Sequence, residues 1–339
     1  MILPKTHYEL SSEVLRTRLG LDHFMDEIVA VHGNDPSYDD VYASIDPQGV
    51  NSELRPERIL YIAHVFHHFI HMKLAGEQIY FLMPELAARL AQTEANIDAT
   101  FLKSPYREIY VQIPQNFFHI RDFDGSLHSI QGFYVYLKED ENGYKLLRIM
   151  AAALVPPAPG LPFNDSIFYF RYKFGPGKIQ DQIDKQYAEQ CKREEELQRY
   201  GASRNVEYCD VFAAFVCNVL LYLTSREPDT TVQNPAVPRD LKSARKLQKQ
   251  AKRLAKESAL RVIIVGAKYK ESQRVKDIHT AGSVGKWKLQ QKSLVPGHWR
   301  GQWYGSDKEG TRRREVIWIE NYERGPDMAE AVSKPHVVR

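Results

Sequence analysis

Residue types that favour strands, mostly β-branched, aromatic and other apolar residues, dominate the middle of the chain between Ile109 and Phe174. Four segments are candidate strands: Ile109–Pro114, Ile130–Leu137, Tyr144–Leu154 and Ser166–Phe174. An Asn-Gly pair at 142–143 lies between the second and third segments, and this dipeptide favours the tight turn of a β-hairpin. The middle of the chain is therefore predicted to form a mostly antiparallel sheet.

Segments whose apolar residues are spaced as in helices flank this sheet on both sides. They are Leu10–Val31, Pro56–Leu74, Ile79–Gln92, Ile179–Tyr200 and Glu207–Leu223. Ser11 or Ser12 is the expected N-cap of the first helix, Pro84 lies near a break in the third, and residues 34–53 have the composition of a loop. The predicted fold class is α+β, with a helical N-terminal part and a central mostly antiparallel sheet packed by helices. A small basic α+β region follows at the C-terminus.

Four histidines, His64, His67, His68 and His71, lie within about a third of the circumference of the second predicted helix. Histidines four residues apart can chelate a transition metal, but no Cys, Asp or Glu nearby supplies a further ligand. A polar face, solvated or packed against other groups, is the favoured interpretation, and a pH-sensitive or peptide-contacting face is the alternative. We therefore predict neither a metal site nor a cofactor.

The net charge of +3 conceals two unequal parts of the chain. Between Arg239 and Arg314 there are 21 basic and six acidic residues, a balance of +15, whereas the remainder holds 25 basic and 37 acidic residues, a balance of −12. Thr230–Pro238 is rich in Thr, Asn and Pro and is the candidate linker. We predict an acidic α+β domain over residues 1–235 and a basic domain, suited to a polyanion, over residues 236–339.

A helix with a narrow apolar seam is predicted at Leu241–Lys256. Every charged residue of this segment is basic. Charge of a single sign favours a phosphate backbone as the partner. An anionic membrane is the alternative, but the seam lacks the Trp or Phe that would anchor it there. The predicted RNA-binding residues of this helix are Lys242, Arg245, Lys246, Lys249, Lys252 and Arg253.

Aromatic and cationic residues are concentrated at Pro296–Gly305, which is too rich in glycine to predict regular structure. A strand is predicted just after it, within Arg312–Ile319, and another before it, at Arg261–Val265. Aromatic rings beside cations suit stacking on bases and contact with phosphate. Alternatively, the two tryptophans of the segment plug a small core. The predicted RNA-binding residues here are Trp299, Arg312, Arg313 and Arg314.

Motifs for nucleotide binding, zinc proteolysis and serine hydrolysis are absent from the sequence. Acidic residues are also scarce in the basic region, which argues against a two-metal nuclease there. A metal-independent ribonuclease would need a general base, a general acid and a cation for the phosphate. His298, Arg300 and Tyr304 are the candidate catalytic residues, with His279 as a further candidate. Binding to RNA or the ribosome that recruits a host nuclease is the favoured alternative to intrinsic cleavage.

The sequence resembles a family of phage and mobile-element proteins in four segments taken in order. These are Gly-His-Trp-Arg at 297–300 with the basic strand ending in Trp-Ile at 318–319, Ile109–Pro114, Ile130–Tyr134, and Leu221–Leu223 with Glu227–Asp229. The family includes the type V-A anti-CRISPR inhibitor that blocks biogenesis of the CRISPR effector nuclease. The resemblance implies an inhibitor that recognises the nascent N-terminal polypeptide of the effector and causes degradation of its mRNA during translation. It thereby implies that residues 1–235 are the peptide-recognition domain and that the basic residues 236–339 are directed at RNA or the ribosome. A metal-independent RNA-processing enzyme centred on His298 is the alternative.

The implied partners are the nascent peptide, the mRNA and, as a further candidate, the ribosome. Cys191, Cys209 and Cys217 form neither a disulfide framework nor a zinc motif, and Val211–Leu223 is too short to span a bilayer. The N-terminus lacks the apolar core of a signal peptide. We therefore expect a protein of the bacterial host cytoplasm, without a membrane partner.

Overall fold

A computed structural model describes residues 5–45, 56–121, 126–155, 164–198, 209–233, 261–268, 293–295, 297–320 and 322–324. The helices are α1 (His7–Leu19), α2 (Leu21–His32), α3 (Tyr38–Ile45), α4 (Pro56–Leu74), α5 (Pro84–Ala91), α6 (Ile179–Gln198) and α7 (Cys209–Leu223). The strands are β1 (Gln78–Leu82), β2 (Glu108–Gln112), β3 (His119–Arg121), β4 (Leu127–Glu139), β5 (Lys145–Val155), β6 (Asn164–Phe174), β7 (Thr230–Gln233), β8 (Arg261–Val265), β9 (Ser293–Val295), β10 (His298–Tyr304), β11 (Arg313–Ile319) and β12 (Tyr322–Arg324). A short 3₁₀ helix spans Ala99–Phe101.

A central sheet of eight strands organises the molecule, in the order β6-β5-β4-β2-β1-β8-β7 with β3 paired to β4. Its pairs are antiparallel except those of β1 with β2 and with β8, which are parallel. The predicted hairpin is confirmed, since β4 and β5 pair on either side of the Asn-Gly turn at 142–143. The fold class predicted from the sequence, α+β with a helical N-terminal part, is confirmed.

Helices cover both faces of this sheet because its strands present large apolar side chains on both sides. On one face, α1 to α4 bury a core that includes Tyr8, Phe69 and Tyr134. On the other face, α5, α6 and α7 bury a core that includes Phe133 and Phe215. The β10–β11 hairpin contributes Trp299 and Val316 to this second core (both belong to the same cluster of contacting buried residues).

Three predictions of helices and loops in the first hundred residues were wrong. Gly20 adopts φ +64° and ends α1, so one predicted helix is two, and the first is capped by Thr6 rather than Ser11 or Ser12. The predicted helix Ile79–Gln92 is a strand followed by a helix, since Pro84 starts α5 instead of interrupting it. The predicted loop at 34–53 contains α3.

The predicted boundary between residues 235 and 236 falls between two strands that pair with each other. β7 ends at Gln233 and pairs along β8, which begins at Arg261. β8 also pairs with all five residues of β1. The described parts of the two predicted domains therefore share one sheet.

The histidine face of α4 is buried, because α3 and the central sheet cover it. His67, His68 and His71 are each 1% exposed. His71 Nε2 lies 2.9 Å from the carbonyl oxygen of Pro36, and His68 Nδ1 lies 3.0 Å from a carboxylate oxygen of Glu108. Burial lowers the pKa of His68 and raises the pKa of Glu108, so both groups favour their neutral forms.

No helix among the described residues is long and apolar enough to cross a membrane. Within the same residues, no group of three or more His, Cys, Asp or Glu side chains is arranged to hold a metal ion.

Candidate functional site

The segment His298–Tyr304 is a regular strand, although its glycines predicted irregular structure. All seven of its residues pair antiparallel with β11, from His298 opposite Ile319 to Tyr304 opposite Arg313. Gly301 lies inside the strand because a side chain would not fit there. A Cβ at this position would lie 2.9 Å from Arg314 Nε and 3.0 Å from the ring of Phe101. Glycine here permits close packing of the hairpin on the core rather than a turn.

One face of this hairpin packs on helix α7. Trp299 is buried, and its indole Nε1 donates a hydrogen bond of 2.7 Å to Oδ1 of Asn218 on α7. The amide nitrogen of Asn218 in turn donates to the carbonyl oxygens of Leu90 (2.9 Å) and Thr93 (2.5 Å). Trp318, directly opposite Trp299, packs edge-on against Tyr222 of the same helix. Burial leaves no ring face of Trp299 free to stack on a base, so the alternative in which it plugs the core describes this residue.

The other face of the strand carries His298, Arg300, Gln302 and Tyr304, because side chains alternate along a strand. Arg300 is exposed, and His298 and Tyr304 are half-buried. The strand separates the three candidate catalytic residues. Along a strand, His298 and Arg300 are about 7 Å from each other, whereas His298 and Tyr304 are about 20 Å from each other. His298 and Arg300 can therefore contact one phosphate group, but Tyr304 cannot join them there.

Tyr304 instead belongs to a cluster that ties the hairpin to the end of α7. The guanidinium of Arg226 lies 3.8 Å from the centre of the Tyr304 ring, and its Nε lies 3.8 Å from Glu315. The backbone N–H of Arg226 donates to the carbonyl oxygen of Val316 in β11. These contacts hold the hairpin at both its ends, together with the Trp299–Asn218 hydrogen bond.

The three arginines of β11 and the preceding turn differ in their surroundings. Arg312 lies over the ring of Trp303, 4.7 Å from its centre, and contacts Asp307. Arg313 contacts Glu315, and Arg314 lies over the ring of Phe101, 4.9 Å from its centre. All three are exposed. The structure therefore brings Arg300, Arg312, Arg313 and Arg314 onto one small hairpin, where the sequence had placed them in separate motifs.

The remaining predicted RNA-binding residues, Lys242, Arg245, Lys246, Lys249, Lys252 and Arg253, lie outside the described residues, as does His279. Three residues that build the site were missed by sequence reasoning: Asn218, Arg226 and Phe101. A signal for Asn218 did exist, because it is the one polar residue between Phe212 and Leu223. A polar group in an otherwise apolar buried helix needs a hydrogen-bond partner.

The sequence of the hairpin is part of a longer match to a known family. The model of the AcrVA2-like family, the anti-CRISPR type V subtype A2 family, matches residues 80–322, well over half of the chain. The chain belongs to this family. The match begins within β1 and spans the rest of the central sheet, helix α7, strand β9 and the β10–β11 hairpin, and it ends at the first residue of β12.

The AcrVA2-like fold is also found in a solved structure. A crystal structure of AcrVA2 matches with a TM-score of 0.52 and 18% identical residues, over 94% of this chain and 99% of that one. At this level of identity the likeness concerns the fold of the AcrVA2-like chain and not its site. No curated protein sequence matches the chain.

Proposed function

We propose that this anti-CRISPR family member recognises the nascent N-terminal polypeptide of a CRISPR effector nuclease and causes degradation of its mRNA during translation. The observation that carries the proposal is the match of an AcrVA2-like family model to residues 80–322. The hairpin is the part of the described structure that suits contact with mRNA. Four arginines extend from a frame whose position is fixed by the core, and the basic segments on both sides of β8 add to the same charge.

We propose further that the protein recruits a host nuclease and does not itself cleave RNA. Intrinsic cleavage without a metal would need an acid, a base and a cation around one phosphate. Only His298 and Arg300 of the three candidates share such a position, and Tyr304 packs under Arg226. A binding role for His298 and Arg300 is compatible with this separation.

Substitution of Arg300 tests the proposal in cells that express the effector. Arg300→Ala and His298→Ala should abolish the loss of effector mRNA, measured by quantitative PCR. Thermal stability should stay near that of the wild type, because Arg300 is exposed and truncation of such a residue usually costs little. Arg300→Lys keeps the charge but loses the planar fork that grips phosphate at two points, so it should retain RNA binding within about tenfold and lose most of the inhibition.

Arg171→Lys is the matched control, because Arg171 is also an exposed arginine on a strand but lies on β6 of the central sheet. The control should inhibit like the wild type. Normal inhibition by Arg300→Lys would mean that Arg300 is one charge among many and that the motif is structural. Unchanged effector mRNA in the presence of the wild-type protein would refute the proposed mechanism itself.

Binding of the nascent peptide needs its own measurement. A synthetic peptide with the N-terminal sequence of the effector should bind the full-length protein in titration calorimetry, and a scrambled peptide of the same composition should not. The acidic balance of −12 outside Arg239–Arg314 suits a basic peptide segment. Equal binding of both peptides would remove sequence recognition from the proposal.

A further inference from the structure

Trp303 contrasts with the other tryptophan of its strand. Trp299 and Trp303 lie four residues apart on the same face of β10, and both were expected to plug the core if either did. Trp299 is 6% exposed, but Trp303 is 56% exposed. Among the residues that the structure describes, Trp303 and Tyr144 are the exposed large aromatic side chains. More than half of the Trp303 side chain stays in contact with solvent, so burial accounts for much less of its contribution than for that of Trp299.

The indole of Trp303 extends from a paired strand and packs against a neighbouring side chain. Arg312 lies over its ring, 4.7 Å from the centre, and Arg314 is directly opposite it on β11. The turn that joins the strands is closed by Thr311, whose N–H donates to the carbonyl oxygen of Ser306 at 3.1 Å. The hydroxyl of Thr311 also accepts a hydrogen bond from the backbone N–H of Ser306. A preorganised ring of this kind loses little conformational freedom when it binds a ligand.

The charges around the ring favour an anionic partner. Residues 298–319 include five basic and three acidic residues. The ion pairs of Arg312 with Asp307 and of Arg313 with Glu315 involve arginines that are 45% and 76% exposed. Exposed ion pairs are worth little, so a phosphate group can compete for these guanidinium groups at low cost. A basic peptide would instead be repelled from this end of the hairpin.

We propose that Trp303 is a stacking site for an unpaired base of single-stranded RNA. Arg312 supports the ring on one face, the base stacks on the other face, and the exposed Arg314, directly opposite Trp303 on β11, contacts an adjoining phosphate. Aromatic rings flanked by arginines bind unpaired bases in this way with little preference for sequence. This inference rests on the proposed function, and it names the residue and the form of RNA that the hairpin would bind.

The chain contains a natural control for this site. Tyr144 is 41% exposed, and the ammonium of Lys173 lies 4.5 Å from its ring centre, so the pair resembles Trp303 and Arg312 in geometry. Its neighbours at 139–141 are Glu, Asp and Glu, however, and Lys173 also lies 3.8 Å from Asp140. An RNA strand would be repelled there. Tyr144→Ala therefore removes an exposed ring beside a cation without removing a predicted RNA site.

The test is fluorescence anisotropy of a labelled oligoadenylate RNA titrated with the full-length protein and its variants at two salt concentrations. Trp303→Ala should weaken binding by about tenfold, which is within the range of one lost base–aromatic stack. Trp303→Phe should recover part of the loss, because a smaller ring still offers a stacking face. Tyr144→Ala should bind like the wild type. The salt dependence of Trp303→Ala should stay near that of the wild type, because stacking releases no counterions.

Wild-type RNA affinity in Trp303→Ala, or an equal loss in Tyr144→Ala, would overturn the inference. Loss of binding to the effector's N-terminal peptide, with RNA binding unchanged, would assign Trp303 to a protein partner and overturn it as well. Measurement of effector mRNA in cells distinguishes a failure of the stacking site from a failure of the proposed function. If the wild-type protein lowers that mRNA while Trp303→Ala binds RNA normally, the stacking site alone is refuted. If Trp303→Ala loses RNA binding but the wild type leaves mRNA intact, the stacking site is supported and the proposed function fails.

Discussion

Replacing Asn218 with leucine should loosen the hairpin from the body of the protein. The Asn218 side chain makes three buried hydrogen bonds: one from Trp299 Nε1 and two to the carbonyl oxygens of Leu90 and Thr93. Leucine is similar in size but can make none of them. Leu90 keeps a backbone donor, because the N–H of Thr93 also reaches its oxygen at 3.3 Å. Trp299 Nε1 and the oxygen of Thr93 would each lose the partner that Asn218 supplies.

The magnitude follows from these two groups. A buried polar group left without a partner costs about 1–3 kcal/mol, so Asn218→Leu should lower the free energy of unfolding by roughly 2–6 kcal/mol. Trp299→Phe removes the indole donor itself. In that background Asn218→Leu should cost less, because no N–H remains to be orphaned. We therefore expect a coupling energy of about 1–3 kcal/mol between the two positions.

Urea denaturation followed by far-ultraviolet circular dichroism measures all four proteins of this double-mutant cycle without relying on tryptophan emission. Tyr222→Phe provides a matched control on the same helix, since it removes the single hydrogen bond from the N–H of Asp229 to the Tyr222 hydroxyl. That variant should lose only about 0.5–1.5 kcal/mol. Additive effects of Asn218→Leu and Trp299→Phe, within about 0.5 kcal/mol, would refute the reasoning.

Gly132→Ala should lower the free energy of unfolding, measured by urea denaturation, by ~1–3 kcal/mol, because the added Cβ would lie 2.3 Å from the Tyr110 hydroxyl. Unchanged stability would show that the strands shift freely. Acidification from pH 7.5 to 5.5 should lower stability, since burial depresses the pKa of His64 to about 4 and that of His67 well below its ordinary value. The unfolded chain then binds protons that these folded histidines do not, so their contribution to stability is complete above about pH 6.5 and falls below it by ~1.4 kcal/mol per pH unit for each histidine. Buried Glu108, whose pKa is raised, contributes with the opposite sign and offsets part of this fall. His67→Gln should flatten this dependence of the urea midpoint and exposed His23→Gln should not; equal slopes would contradict the assignment. Elemental analysis of protein purified without an affinity tag should find no stoichiometric transition metal, and one metal ion per chain would overturn that prediction.

Sequence reasoning succeeded where local signals and tertiary packing agree. The strands of the central sheet are rich in strand-type residues, and the Asn-Gly turn fixes the register of β4 and β5. It failed for β10, where Gly301 indicated a break. A Cβ at Gly301 would approach the ring of Phe101 to 3.0 Å, and Phe101 lies 200 residues earlier in the sequence. It also left open whether the histidine face of α4 is solvated, since the layer that covers this face is not encoded in the helix itself.

The same limit applies to the candidate site. The residue types of the Gly-His-Trp-Arg segment permitted both a core plug and a binding surface. The structure separates these roles residue by residue, with Trp299 in the core and Arg300 outside it. Strand parity accounts for this division once the strand is known. The exposure of Trp303, on the same face as Trp299, depends on how far the core extends under the hairpin, which no local pattern records.

The position of β8 in the central sheet has a consequence for how the protein is made. β1 pairs with β2 about 30 residues later, but its other edge waits for β8, which follows at Arg261–Val265. Until that strand has left the ribosome, the buried residues of Gln78–Leu82 present an unpaired apolar edge. Contacts between residues so distant in sequence also form slowly. A newly synthesised chain therefore passes most of its translation without a complete central sheet, and a fragment ending at residue 235 should aggregate rather than behave as an independent domain.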